Sequence, residues 1–450
     1  MSSRKLRIVV ALAVSGLAAV LVTALAGSAG GAAAPVGSGK QTATNSVCGL
    51  GTGKKATGTP IKVGGLVTFE PGTDFQDIAR AAAAYFQCVN DNGGIRGRPV
   101  QYKYYTTPIN PVTAGAQARK LVASDKVMAI IGNTEILDCT VNHKYYRANG
   151  YYVIGSGIAP ECYNGAPTMA QVNMGPAYSA TGTAQALVRA GAKSLVCDTS
   201  NQGDPTKYVN LGCMAVGRAA GIPVYDSHHD VPVTDGASVA LELAQRAGNG
   251  GGIVLTYIPP EALKILQAAQ QQGLVDRVMW GCATPCNTDF VAAALGSTWN
   301  GKLHVNAELA LLDSNGPDMR LYRAVLKKYA SKTAIGSFSQ MGYTEAMIAT
   351  SAMLNARTPL TKQSINQAIR DVKNYKTDIL CKPWYFGVAP YHNPNNTDRT
   401  VVPENGKMVQ KEGCFNILAY TPQLRQIRVW ERQRNLNSGT PPYPRQGRAG

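Results

Sequence analysis

The sequence predicts an α/β fold built on parallel sheets. From Ile61 onward, short β-branched or aliphatic runs alternate with Ala- and Leu-rich helical stretches. The runs are mostly apolar, as in strands covered by helices on both faces. Several helical stretches stop at a glycine (Gly191, Gly221 and Gly273), a residue suited to the left-handed turn that ends a helix.

The elements follow in order. Ile61–Leu66 is the first strand, and the Ala-rich stretch Phe75–Asn90 is the helix after it. Val100–Tyr105 and the helix Val112–Ala123 repeat the unit. Val127–Ile131 and Tyr152–Ile154 are short apolar strands, and Ser179–Ala190 is a helix closed by Gly191. Ser194–Cys197 and the helix Tyr208–Ala220 come next, then the helix Ala237–Arg246. The apolar strand Gly252–Tyr257 leads into the helix Pro260–Gln272. Arg277–Trp280 and Leu303–Asn306 complete the strands. Helices are then expected at Pro317–Lys328, Gly336–Asn355 and Thr361–Val372. Beyond Cys381 the chain turns to Trp-, Tyr-, Pro- and Asn-rich loops, with extended pieces at Val401–Val402 and Phe415–Tyr420.

With 450 residues, 45% hydrophobic and 16% charged, the chain can bury a large core and is not a disordered one. A single apolar run is long enough to cross a bilayer, which excludes a polytopic membrane protein. Arg4, Lys5 and Arg7 precede that run, Ile8–Ala26, and small residues follow to Ala34. Residues 1–34 therefore read as an export signal, cleaved after Ala29 or Ala34; retention as an anchor is the rival reading. No cysteine ends the apolar run, so lipidation is not expected, and the protein is placed outside the cytoplasm. Residues 35–59, rich in Gly, Ala, Thr and Ser, are expected to be a flexible tether.

Export makes the ten cysteines legible as up to five disulfides. Proximity groups Cys139 with Cys162, Cys197 with Cys213, Cys282 with Cys286 and Cys381 with Cys414, leaving Cys48 and Cys88; sequence alone does not fix this connectivity. The pair Cys282/Cys286 has no partner pair at zinc spacing, so no metal is expected. The net charge of +17 includes a basic segment, 421–450, that carries six Arg and one Glu and is expected to be a flexible tail. Spread without interleaved aromatics, the charge points to an anionic envelope surface rather than nucleic acid.

No enzyme signature survives inspection. Gly49-Leu-Gly-Thr-Gly-Lys54 has the wrong glycine spacing for a phosphate loop and no strand before it. His228 and His229 are adjacent on an extended segment and point to opposite sides, which opposes a shared metal. Gly155-Ser156-Gly157 lacks the spacing of a nucleophile elbow. No cofactor is expected.

The segment Asn90-Asp-Asn-Gly-Gly-Ile-Arg-Gly-Arg-Pro-Val100 closes one helix and opens the next strand. Gly93 and Gly94 supply the freedom to reverse the chain there. This segment resembles the helix-to-strand signature of the branched-chain amino-acid substrate-binding proteins of ABC transporters (leucine/isoleucine/valine-binding-like, type I periplasmic binding fold). Ile61–Thr68, Lys126–Gly132, Ala159-Pro160-Glu161, Tyr257–Leu263 and Gln267–Gly273 fall in that family's order. The resemblance spans about Ile61 to Tyr420. It implies two doubly wound Rossmann-like lobes, 60–176 plus 306–380 and 177–305 plus 381–420, joined by a three-segment hinge. It also implies a small-molecule ligand held between the lobes, hinge closure, and an ABC permease as membrane partner.

Ligands of open parallel sheets sit beyond the carboxyl ends of the strands. By the resemblance, Phe75 covers the ligand, and Asn133, Thr134 and Glu135 follow the strand that ends at Gly132. Ile136 stands where a carboxylate-binding Ser is expected and Ile158 where a Thr is expected, leaving Thr134 and Ser156 as substitutes, with Gly157 beside Ser156 in the second carboxylate site. In the second lobe Tyr257 matches a cleft tyrosine and Tyr208 approximates another. Cys282-Ala-Thr-Pro-Cys286 offers Thr284 but no carboxylate for a ligand ammonium. The expected function is capture of a small polar ligand other than an ordinary branched-chain amino acid. The alternative is a secreted or membrane-anchored sensor or envelope-binding module with no transport role.

Overall fold

The computed structural model describes residues 47–203, 206–387 and 392–437. The export signal, the first part of the tether and residues 438–450 lie outside them. No described helix is long and apolar enough to cross a membrane.

The first lobe opens with β1 (Ile61–Glu70), the two-residue β2 (Thr73–Asp74), α1 (Gln76–Asp91), β3 (Val100–Thr107) and α2 (Pro111–Arg119). It continues through β4 (Ala129–Asn133), α3 (Asp138–Ala148), β5 (Val153–Gly155) and β6 (Met169–Gln171). These strands form one sheet, ordered β2-β1-β4-β5-β6 with β3 also on β1, and parallel except for β1–β2.

The chain then crosses to a second lobe. This holds α4 (Pro176–Arg189), β7 (Leu195–Asn201), α5 (Leu211–Ala220), β8 (Val224–Asp230), α6 (Gly236–Ala247) and β9 (Gly252–Thr256). α7 (Pro259–Gln271), β10 (Met279–Cys282), α8 (Asp289–Leu295) and β11 (Leu303–Asn306) follow. A second crossing returns it to the first lobe with α9 (Pro317–Tyr329), α10 (Ser337–Asn355) and α11 (Lys362–Arg370). A third delivers β12 (Thr397–Glu404), β13 (Lys407–Asn416) and α12 (Pro422–Gln433). The second sheet is ordered β13-β12-β11-β10-β9-β7-β8, with β12 and β13 antiparallel. The fold is thus two doubly wound α/β lobes with three crossings.

The cores explain the elements. β4 and β9 are buried along their whole length, so their sequences are continuous apolar runs. α1 buries Ile78, Ala82, Tyr85 and Val89 at helical spacing and packs against α10, which is buried on nearly every face. At that contact Gly342 faces the carbonyl of Ile78, and a Cβ there would lie well inside contact distance. Trp384 and Phe386 join the first-lobe core, and the Trp384 indole donates to Gln171 O at 2.8 Å.

All ten cysteines are paired: Cys48–Cys88, Cys139–Cys162, Cys197–Cys213, Cys282–Cys286 and Cys381–Cys414.

Two expectations of flexibility are corrected. The described part of the tether is clamped to the end of α1: Cys48 bonds Cys88, and the Ala56 amide donates to Asn90 O at 2.8 Å. Part of the expected tail is helix α12, capped by the Thr421 hydroxyl and anchored by buried Leu424 and Ile427 against Met174 and Ile417. Asn405 and Gly406, both with positive φ (52° and 77°), turn β12 into β13.

Gly342→Ala forces a methyl into the α1–α10 contact. Loss of about 1–3 kcal/mol is expected in urea unfolding, whereas Arg218→Ala, at an exposed position of α5, should change stability by no more than about a few tenths of a kcal/mol.

Candidate functional site

A cavity of about 80 Å³, partly open to solvent, lies between the lobes beyond the carboxyl ends of strands from both sheets. The first lobe contributes Phe75 just before α1, Thr134 and Ile136 after β4, and Ser156 and Ile158 after β5. α10 adds Phe338 and Met341. The second lobe contributes Thr199, Thr256, Tyr257 and Thr284, while Asn173 and Glu308 come from the crossings. Phe75 and Phe338 meet edge to face with centroids 5.3 Å apart.

The lobes touch across the mouth. The Tyr208 hydroxyl donates to the Ile158 carbonyl, and the Gln202 amide nitrogen donates to the Thr73 hydroxyl. The turn at Gly72 abuts Val231 and Pro232. The cleft is therefore bridged by side chains from both sides.

Five of the nine candidate ligand residues line the cavity: Phe75, Thr134, Ser156, Tyr257 and Thr284. The other four do not. Asn133 is a clip within its own lobe, accepting from Leu66 N at 2.6 Å and donating to Asp138. Gly157 donates its amide to Gln171 Oε1 at 2.6 Å, beside the Cys139–Cys162 disulfide. Glu135 is buried behind the loop, and burial followed by repulsion from Asp138 pushes its carboxyl up to about 8. Tyr208 serves the lobe–lobe bridge instead. Sequence reasoning missed Glu308, although it lies two residues beyond the strand Leu303–Asn306, where the strand-end rule applies.

The lining residues are chemically distinctive. Ser156 is turned away from a ligand, its hydroxyl donating to Glu345 of α10, whose carboxyl burial raises to about 8. The Ile136 amide is taken by the Thr68 hydroxyl at 3.0 Å. The Thr134 and Thr256 hydroxyls, one on each lobe, are buried without a protein partner. Thr284 is held in a second-lobe network, 2.8 Å from Ser179 Oγ and donating to Asn306. Tyr257 donates to Asp198 Oδ2 at 2.7 Å. Asp198 also binds His229 Nδ1 at 2.8 Å, and Glu242 lies 3.3 Å from the other ring nitrogen. The bond to Asp198 raises His229 from 6.5 to about 9. Among the described residues, no Lys, Arg or His lines the cavity, and no group of three or more His, Cys, Asp or Glu is placed to hold a metal.

A family model described as periplasmic binding protein matches residues 60–405. The chain belongs to the periplasmic binding protein family. Solved structures share the fold of this periplasmic binding protein at low identity. One is a branched-chain amino-acid ABC transporter protein from Thermus thermophilus with bound valine. It has a TM-score of 0.71 and 14% identity, covering 83% of this chain and 100% of that one. A fatty acid ABC transporter substrate-binding protein from Thermomonospora curvata gives 0.68 and 18%, covering 84% and 96%. A solute-binding protein from R. palustris in complex with benzoate gives 0.66 and 18%, covering 79% and 96%. No curated protein matches the sequence. Periplasmic binding proteins are solute-binding proteins that work outside the cytoplasm, and the family consists of non-enzymes.

Because His229 is raised in the fold, its ion pair stabilises the protein fully below about 6.5 and is lost as pH rises through about 9. His229→Gln is expected to lower the melting temperature at pH 6 and to match the parent by pH 10 in paired thermal scans. For Tyr208→Phe, amide exchange should speed up in the 156–158 loop while β4 stays protected, as read by hydrogen–deuterium exchange.

Proposed function

We propose that the protein captures a small ligand with a largely apolar body and no free carboxylate between its lobes, and delivers it to an ABC permease. The observation that carries this reading is a bridged cavity walled by Phe75, Ile136, Ile158, Phe338 and Met341 with no basic side chain among its described residues. Valine and benzoate, the ligands of two structural neighbours, are carboxylates. A desolvated carboxylate needs cations or several aligned N–H groups. Here Ile136 and Ile158 bring no hydroxyl, and the Ile136 amide is already spent on Thr68. Ordinary branched-chain amino acids are therefore not the ligands this reading expects. The delivery step is supported by family membership and by the ABC transporter proteins among the neighbours.

Native mass spectrometry of the purified protein, with thermal-shift screening of neutral, cationic and anionic metabolites, tests the reading. Neutral or cationic compounds are expected to raise the melting temperature, and millimolar leucine, isoleucine and valine to leave it unchanged. Stabilisation by those amino acids sinks the ligand class. Silence across the whole panel, with no co-purified mass, sinks solute capture itself.

A further inference from the structure

Glu308 sits in the second crossing, 1% exposed, on the cavity wall. Its Oε2 accepts the Met174 amide, with Asn395 Nδ2 3.5 Å away and the Thr284 hydroxyl beside the carboxyl. Every one of these groups is neutral. Burial raises the carboxyl to about 8, and no basic side chain acts against it. Asp398 is near enough to add repulsion when both carboxyls are charged. The neighbouring Arg399 is turned away, donating to Leu309 O at 2.6 Å. A carboxylate in such a place is costly unless a cation reaches it. The protein supplies none from the described wall, and the cleft is the open approach. Facing that approach are the rings of Phe75 and Phe338, surfaces that tolerate or attract a positive charge.

We propose that Glu308 makes the cleft a receptor for a small organic ammonium ion on an apolar body, the carboxylate pairing with the ligand's cationic nitrogen. This deepens the solute-capture reading and rests on it. The acid comes from a crossing rather than from the segment after β10, where Thr284 stands. An ammonium at Glu308 therefore touches both lobes' junction while the apolar body lies among Phe75, Ile158, Phe338 and Met341.

Three probes of one branched skeleton separate charge from shape: isoamylamine, isoamyl alcohol and isovalerate. The amine is expected to raise the melting temperature of the full chain most, the alcohol less and the carboxylate not at all. Glu308→Gln keeps the shape and an acceptor for Met174, and should weaken the amine by roughly tenfold to a hundredfold while leaving the alcohol unchanged. If that variant does not fold, Glu308→Asp, which keeps the charge but withdraws it, should weaken the amine and not the alcohol. The inference is overturned if the amine fails to stabilise, if isovalerate stabilises as well, or if E308Q holds the amine as tightly as the parent. In each of those cases, stabilisation by the alcohol or by isovalerate leaves solute capture standing.

Discussion

The three crossings of the chain between the two lobes meet at the buried carboxyl of Glu308. It accepts the amide of Met174 from the first crossing, while Asn395 of the third reaches its carbonyl at 3.3 Å and its carboxyl at 3.5 Å. Asn395 also donates to Val172 O at 3.1 Å, and Asp398 accepts the amide of Ala307. Backbone groups leaving a sheet in a buried place have to find such partners. The junction is thus a buried polar knot. Because the cleft opens directly onto it, the groups that hold the lobes together are also part of the surface a ligand meets.

The remaining restraints are arranged around that knot. Cys381–Cys414 ties the approach to the third crossing to β13. α12 lies over the same region: Glu431 accepts from the Tyr385 hydroxyl at 2.7 Å and from Asn396 at 3.1 Å, and Arg428 donates to Ile417 O. Some of the basic charge near the C-terminus is therefore structural. Away from the junction, Cys139–Cys162 joins the segments that follow β4 and β5, so the first-lobe wall of the cleft is stiffened covalently. The weaker links are the side-chain bridges from Tyr208 and Gln202, which is where motion between the lobes has least to break.

Much of the fold was legible because the buried strands and Ala-rich helices carry strong patterns. What escaped has physical reasons. β8, Val-Tyr-Asp-Ser-His-His-Asp, is an edge strand with a largely exposed face, so its sequence is polar. α3 buries Asp138 and Asn142 alongside Cys139 and Tyr146, which erases apolar periodicity. α12 was hidden by its charge, since Leu424 and Ile427 are its only buried apolar residues. At the site, strand-end reasoning placed Thr134, Tyr257 and Thr284 on the wall. It could not foresee that Asn133 and Tyr208 would be used by the protein itself, because such pairings depend on distant partners such as Leu66 and Ile158.

A two-lobed scaffold of this kind fixes where ligand atoms lie but not their charge. Charge is decided by a few side chains at strand ends, which can change without disturbing the sheets behind them. Here the first-lobe loops offer few donors: Ile136 and Ile158 carry no hydroxyl, the Ile136 amide is bound to Thr68 and Ser156 to Glu345, which leaves the Thr134 hydroxyl. At the junction, by contrast, an acid stands on the wall beside neutral groups only. The donor-poor first-lobe loops and the buried acid at the junction lie in separate segments of the chain. In the proposed reading both features favour positive charge over a carboxylate, with apolar and aromatic surface between them.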